Sequence, residues 1–258
     1  MAGPGSVTAE LGRVAVALPA YNAAKTLEIT YCNIPHHLVD DIILVDDASQ
    51  DETLAVARRL GIFNIAHERN TGYGGNQKTC YREALRRGAQ VVVLLHPDYQ
   101  YDPAKVPEML DRLRDPRVDF VFASRILDGR AVENGMPRYK YAANRFLTTV
   151  ENWVLGSRFT DLHTGLRAYK RRVLETIPFE RNDDGFVFDS QMVMQLHWFG
   201  FRGVEVGVPA RYGGDASSTS FAASLRYGLG TLGVLTTYWL CKRGLRQSPL
   251  FAAREGEA

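Results

Sequence analysis

Cysteine is scarce in this chain: Cys32, Cys80 and Cys241 are the only three, far apart in sequence. They form neither a disulfide framework nor a zinc cluster, which favours a reducing cytosol. Charge of one sign is lacking too. Thirty-one Lys and Arg face 29 Asp and Glu for a net charge of +2, so there is no global electrostatic case for a nucleic-acid partner. No apolar core of signal-peptide length follows the N-terminal MAGPGSVTAELGR, and no export signal is expected. The longest uncharged stretch, Tyr227 to Cys241, is shorter than the ~20 residues of a spanning helix. Internal repeats and low-complexity linkers are absent. So are a G-x-G-x-x-G after the first apolar run and a P-loop, which removes the dinucleotide fingerprint and the P-loop NTPases. What remains is an ordinary globular composition, 45% hydrophobic and 23% charged, long enough to bury a sizeable core.

Short, nearly continuous apolar runs occur at Val14–Leu18, Ile42–Val45, Ile62–Ile65, Val91–Leu95 and Phe120–Ala123. Such runs suit strands buried on both faces, as in a parallel sheet covered by helices. Between them lies helix punctuation. Ser49 with Glu52 reads as a capping box for a helix that ends at Gly61, and a second helix is predicted over Asn76 to Arg87 with Gly88 as its stop. Right-handed βαβ crossovers place the strand C-termini on one edge, where ligands bind. Beyond Ala123 the spacing predicts a helix from Tyr139 to Leu155, a loop over 161–169, a helix near Ser190 to Phe199 and a strand at Gly203 to Val208. A Gly/Ser-rich loop (211–220) and an apolar tail from Phe221 follow. The expected architecture is α/β: a mostly parallel twisted sheet flanked by helices, with an appended C-terminal helix.

Chemistry is expected at the strand ends, which read PAYN (19–22), VDDASQDE (45–52), ERNTGYGGN (68–76) and HPDYQYDP (96–103). Asp46 and Asp47 suit hydrogen bonds to a nucleobase N–H or ribose hydroxyls, or one of them caps the helix near Ser49. Gly72, Gly74 and Gly75 are either turn glycines or a close approach of backbone to a nucleotide. Asp98 and Gln100, two apart in an extended segment, can face one cation. Their oxygens suit Mg²⁺ or Mn²⁺ with substrate phosphates completing the shell. The alternative is that Asp98 caps a helix starting near Pro103.

Taken together these segments resemble family 2 glycosyltransferases, particularly the dolichyl- and polyprenyl-phosphate sugar synthase branch. Eight pieces stand in the family's order: PAYN, VDDASQDE, NTGYGG, HPDYQYDP, Ser124-Arg125, DLHTGLRAY (161–169), GFVFDSQ (185–191) and Arg211 before a Gly/Ser loop. The resemblance implies a GT-A fold over 1–220, with a nucleotide-binding half at about 12–123 and an acceptor-side half at 124–220. It implies a nucleotide-diphosphate sugar donor, contacted by Pro19, Tyr21, Asn22, Asp46 or Asp47, Gly74 and His96, with Arg211 near the diphosphate. Asp98 would be the last Asp of the family's D-x-D metal motif, joined by Gln100, and the cofactor Mg²⁺ or Mn²⁺. Arg125, Arg138 and Arg167 become candidate phosphate contacts on donor or acceptor. Charge grows on the leaving diphosphate as the sugar departs, which a divalent cation and arginine forks stabilise.

The sequence departs from the family in three places. His96 replaces the first Asp of D-x-D, Ala23 replaces the acidic residue common after P-x-Y-N, and Gln191 stands where the lipid-phosphate branch often has Glu. The family is inverting. A hydroxyl acceptor would need a general base, for which Asp189 is the candidate, or else Asp189 caps its helix. A polyprenyl phosphate, with a second pKa of ~6, would need none. The tail over 221–258 is expected to form an amphipathic helix carrying Leu225, Leu229, Leu232, Tyr238 and Trp239 ahead of Lys242, Arg243 and Arg246. It suits peripheral contact with anionic headgroups at the inner face of a membrane, packing on the protein's own body, or a homodimer interface. Two other classes compete: a non-catalytic sugar-nucleotide-binding protein, because of His96, and a nucleotidyltransferase, whose glycine-rich N-terminal loop is missing.

Overall fold

Ala15 and Ala17 point to one face of the first strand and Val14, Val16 and Leu18 to the other, because successive side chains alternate. That strand, β1 (Val14–Ala20), is wholly buried and lies at the heart of a seven-stranded sheet. In the computed structural model of the chain, residues 11–209 and 221–253 are described. The remaining strands are β2 (Asp41–Asp46), β3 (Phe63–Ala66), β4 (Val91–Leu95), β5 (Phe120–Ser124), β6 (Leu166–Lys170) and β7 (Gly203–Gly207), in the spatial order β3-β2-β1-β4-β6-β5-β7. β1 runs parallel to β2 and β4, with Ala17 opposite Ile43 and Leu94. The five strands read from the sequence are all present within one or two residues of their expected ends.

Helices cover both faces. The valine face of β1 packs against α1 (Ala24–Asn33), α2 (Thr53–Arg59) and α4 (Val106–Leu113) through Leu27, Val56, Met109 and Leu113. The alanine face admits α3 (Tyr73–Arg86) and α7 (Phe188–Trp198), with Cys80, Tyr81, Phe188 and Met192 filling the gap beside Val173 of the short α6 (Arg171–Thr176). Each fully buried Leu or Val contributes roughly 1.5–3 kcal/mol of transfer free energy, so this double-sided core holds the sheet edge in place. α5 (Arg138–Leu155) and α8 (Phe221–Lys242) pack on each other, and the second half of α8 docks on α7 through Leu235, Tyr238 and Cys241.

Three local expectations need correction. The 161–169 segment is not all loop, because Leu166–Lys170 forms β6. It is antiparallel to both its neighbours, with Arg167 opposite Leu94 and Phe122. The Ser49 capping box does not form: α2 starts at Thr53, whose N–H is capped by Asp51 Oδ1 at 3.0 Å. Ser49 Oγ instead accepts from the Asn22 N–H at 2.8 Å, a partner 27 residues away in sequence. The turn of 3₁₀ helix at Pro103–Lys105 is capped by Asp102, not Asp98.

Candidate active site

The C-terminal ends of β1, β2, β3 and β4 meet on one edge, as parallel pairing requires. Pro19 lies opposite Val45, the ladder ends at Ala20 opposite Asp46, and Tyr21 beyond it stands more than half exposed. Asn22 takes a left-handed backbone (φ +52°), and its Oδ1 accepts from the Gln50 N–H at 2.8 Å, which stitches the β1 and β2 exit loops together. The two adjacent aspartates separate into different roles. Asp47 is consumed by the chain itself: it accepts from Thr71 N–H at 2.8 Å, Thr71 Oγ1 at 2.7 Å and Gly72 N–H at 3.0 Å, and pairs with His67 at 2.8 Å. Both its oxygens shape the 67–72 loop. Asp46 accepts from the Ser49 N–H at 3.0 Å through Oδ2, while its buried Oδ1 has no partner among the described residues.

The glycines also prove to serve the fold. A Cβ on Gly74 would sit 2.4 Å from the Asp183 carbonyl oxygen and 2.7 Å from Phe188 Cβ. Gly72 (φ +90°) approaches Asp184 just as closely, and the Gly74 N–H donates to the Asp184 carbonyl at 2.7 Å. The close approach that the structure shows is to the chain's own 183–188 segment.

After β4 the backbone turns sharply at Tyr99 (φ +55°), and the Gln100 N–H donates to Asp98 Oδ1 at 3.0 Å. The segment is a tight turn and not the extended run expected, yet Asp98 and Gln100 both line one cavity. His96 lines it too. Burial holds its imidazole below the ordinary histidine pKa despite the nearby Asp98 and Asp189 carboxylates, so the ring is neutral at pH 7. The Tyr73 hydroxyl donates to Asp189 Oδ2 at 2.7 Å and lies 3.1 Å from His96 Nε2. With the phenol proton committed to Asp189, His96 is assigned as the Nε2–H donor and its Nδ1 as an acceptor.

Asp189 is neither a helix cap nor an unengaged base. Gln77 Nε2 donates to its Oδ1 at 3.1 Å, and the Arg167 Nη2 lies 3.1 Å from its Oδ2. Arg167, expected at a phosphate, is completely buried and sits under Asp189 with Phe122 beneath its guanidinium. Its Nε donates to the Thr164 carbonyl at 2.7 Å, while its Nη1 has no hydrogen-bond partner among the described residues. Arg125 faces the cavity, but its fork is paired with Asp161 at 2.7 and 3.0 Å. Burial alone would raise the Asp161 pKa; the Arg125 charge and hydrogen bonds overcome it and hold the carboxyl at about 2. Arg138 is exposed at the start of α5 and lies off the cavity wall. Arg211 lies outside the described residues.

The cation that does face the cavity on α5 is Lys140, a residue outside every family motif. It has no carboxylate partner among the described residues, and burial together with the neighbouring Arg125 charge lowers its pKa. Lys140, Ala143, Asn144 and Leu147 recur at helical spacing, which is the one sequence signal that could have placed it on the inner face. Opposite them, Tyr227 of α8 meets His163 Nδ1 at 2.7 Å. The cavity, about 520 Å³, is thus polar at its sheet-edge end and apolar along α5 and α8, where Phe146, Leu147, Leu225, Leu229 and Leu232 form the wall.

A mostly parallel seven-stranded sheet of this order, flanked by helices, is the GT-A fold. The chain belongs to glycosyl transferase family 2, whose family model matches residues 15–178. It is 28% identical over 177 residues to the UDP-N-acetylglucosamine–dolichyl-phosphate N-acetylglucosaminyltransferase of Methanococcus voltae, covering 62% of this chain and 70% of that one. It is 29% identical over 205 residues to the polyprenol monophosphomannose synthase of Mycolicibacterium smegmatis, covering 76% of each. Among solved structures it superposes on glucosyl-3-phosphoglycerate synthase of Mycobacterium tuberculosis in complex with uridine diphosphate, at a TM-score of 0.68 and 20% identity. That match covers 96% of this chain and 87% of the other. The same enzyme in complex with Mn²⁺, UDP-glucose and phosphoglyceric acid also matches at a TM-score of 0.68 and 20% identity, covering 96% and 86%.

Proposed function

We propose that the protein transfers a sugar from a UDP- or GDP-sugar to a polyprenyl phosphate. The observation that carries this reading is the two-ended cavity, polar against the sheet edge and apolar along α5 and α8. A hydroxyl-bearing glycan acceptor would have no use for that wall. The names of the relatives with dolichyl-phosphate and polyprenol substrates point the same way.

In this reading Pro19, Tyr21, Asn22 and Asp46 receive the nucleoside at the ends of β1 and β2. His96, neutral and accepting through Nδ1, takes a hydroxyl of the donor in place of the missing carboxylate. Asp98 and Gln100 would hold Mg²⁺ or Mn²⁺; a lone carboxylate beside a carboxamide is the donor set such ions accept when substrate phosphates complete the shell. Among the described residues no cluster of three His, Cys, Asp or Glu offers an all-protein cage, so the diphosphate is part of the site. When bound, the ion neutralises charge growing on the leaving diphosphate. Lys140 pairs with the acceptor phosphate, and Arg125 stands beside it.

Chemistry is a single in-line displacement. A phosphate oxygen of the acceptor bonds to the anomeric carbon as the bond to the nucleoside diphosphate breaks, and the configuration inverts. Because the attacking oxygen is already anionic, no proton needs removal. Asp189, with both oxygens accepting hydrogen bonds and Arg167 against it, orients Tyr73 and through it His96.

The test is transfer of labelled sugar from a panel of UDP- and GDP-sugars, with Mn²⁺ or Mg²⁺, to a short-chain polyprenyl phosphate in detergent. Label should move into the organic phase with one donor, and Lys140→Ala should raise the acceptor KM about tenfold or more, since a hydrogen bond to a charged group is worth roughly 1.5–3 kcal/mol. Label that stays aqueous with every donor, while a hydroxyl acceptor is glycosylated, overturns the acceptor assignment.

A further inference from the structure

Helical spacing puts Glu151 of α5 on the same inner face as Asn144, Leu147 and Thr148, and it is buried to 1% exposure. A buried carboxylate is costly unless something answers its charge. What touches it is the imidazole of His163. The ring Nε2 lies 3.0 Å from Glu151 Oε2, close but out of line for a hydrogen bond, and neither carboxylate oxygen has a hydrogen-bond partner among the described residues. His197 of α7 also faces Glu151, but its Nδ1 is engaged by the Val193 carbonyl at 2.9 Å. Burial lowers the His197 pKa, so that ring brings no charge at pH 7.

The other side of the His163 ring meets the cavity wall. Tyr227 Oη of α8 lies 2.7 Å from His163 Nδ1, and both residues line the cavity with Arg125 and Lys140. Ser190 Oγ of α7 donates to the same phenol oxygen at 3.3 Å. Burial, with the Asp189 and Glu151 carboxylates nearby, raises the Tyr227 pKa above its ordinary value, so the phenol keeps its proton. Two proton arrangements satisfy these atoms. With a neutral ring, Nε2 carries the hydrogen on the Glu151 side and Nδ1 accepts from the Tyr227 hydroxyl, whose proton is then withheld from any ligand. With a second proton on Nδ1 the direction reverses: Nδ1–H donates to the phenol oxygen, and the Tyr227 O–H is released to the cavity. The heavy atoms stay in place, and the two states differ by one proton taken from solvent.

We propose that Glu151, His163 and Tyr227 form a proton-coupled anion switch, in which a phosphate monoester entering the cavity draws a proton onto His163 and receives the released Tyr227 hydrogen bond. Glu151 and His163 are positioning residues, and Tyr227 is the group that touches the ligand. An anion favours both changes, since it attracts the imidazolium and accepts the phenol proton, whereas a neutral hydroxyl acceptor does neither. The remaining charges around the ring largely cancel. Arg125 donates to the His163 carbonyl at 2.8 Å, and its fork is matched by Asp161 in the same loop as His163. That the phosphate is a lipid's rests on the proposed acceptor, while the switch needs only the phosphate.

The full chain, without nucleotide or metal, is titrated calorimetrically with farnesyl phosphate in buffers of different ionisation enthalpy, with farnesol and inorganic phosphate in parallel. Farnesyl phosphate should bind with proton uptake, and by linkage its affinity should fall by up to about tenfold per pH unit above neutrality. Farnesol should show neither effect. The second phosphate pKa of ~6 adds an exchange common to all variants, so the difference between proteins reads His163. His163→Gln and Glu151→Gln should each remove the extra uptake. Tyr227→Phe should weaken farnesyl phosphate about tenfold and leave farnesol unchanged, since a hydrogen bond to a charged group is lost. Nitrogen NMR of labelled histidine in the unaltered protein, assigned through the backbone, depends on no variant. There the His163 ring should pass from the neutral Nε2–H tautomer to imidazolium when farnesyl phosphate is added at about pH 7.5. A ring that keeps one charge state overturns the inference, as does farnesyl phosphate binding with the same proton count in the unaltered protein and His163→Gln. Failure of both anions to bind also overturns it. Inorganic phosphate that drives the switch where farnesyl phosphate does not bind supports the switch and removes the lipid acceptor, so the two readings fail separately.

Discussion

Arg167 and Asp189 are the residues whose roles change most between sequence and structure. A guanidinium with no solvent exposure cannot meet a substrate phosphate, and its charge is balanced by a carboxylate 3.1 Å away. Removing one member of a buried pair leaves the other uncompensated, at a cost of about 3–5 kcal/mol. Arg167→Met should therefore lower the melting temperature by on the order of 10 °C; a stable variant with only a raised acceptor KM would restore the phosphate role. His96 makes a second prediction. Its folded pKa lies below the ordinary value, so the unfolded chain binds the proton first as pH falls. Stability is then full above pH ~6.5 and declines below it until the folded pKa is reached. His197, buried and lowered in the same sense, contributes likewise. Urea unfolding between pH 8 and 5 should show this loss, and His96→Asn should shrink it without removing the His197 share. The strand-end carboxylates and His96 were legible because motif and strand end coincide. Which of Asp46 and Asp47 was available could not be read, since that is settled by Thr71 and Gly72, more than twenty residues on.

Glycines separate packing from propensity at the scale of an element. Gly74→Ala drives a methyl group into the Asp183 carbonyl and Phe188, and should cost about 1–3 kcal/mol while loosening the 183–188 segment that carries Phe186 to the cavity. Gly233, inside α8 with open space for 4 Å around the place a methyl group would take, should behave oppositely: Gly233→Ala gains about 0.5–1 kcal/mol. Urea midpoints of the two variants moving in opposite directions is the expected result. The strands built from continuous apolar runs were plain in the sequence, because burial on both faces leaves no room for polar residues. β6 was hidden because Leu166-Arg167-Ala168-Tyr169-Lys170 sets an arginine and a tyrosine in a central strand. Asp189, from a helix 22 residues later, supplies that arginine's counter-charge. The capping box failed for a related reason: the local spacing was correct, but a distant backbone N–H claimed the Ser49 hydroxyl. The tail divides likewise, its first half lining the cavity and its second half packed on α7.

For the whole molecule, a ligand that binds only the folded state raises stability by about 2.7 kcal/mol at a hundred times its Kd. The correct nucleotide sugar with Mn²⁺ should thus raise the melting temperature by roughly 5–10 °C, and chelation or Asp98→Ala should remove the metal-dependent part of that shift. A full shift that persists in Asp98→Ala would detach the metal from this turn. The sheet order also governs when the molecule can be completed. β3, β2, β1 and β4 are contiguous in space and all made before residue 96, so they can pair as soon as they emerge. β5 emerges next but has only β6 and β7 as neighbours, and β6 lies some forty residues further along the chain. Until it arrives, β4 presents an open edge and β5 has nothing to pair with. Loop closure of that length precedes any gain from pairing, so the acceptor side should form last. Pulse-labelled amide exchange during refolding should protect β1, β2 and β4 before β5 and β7, making the reversed strand the keystone whose arrival closes the sheet.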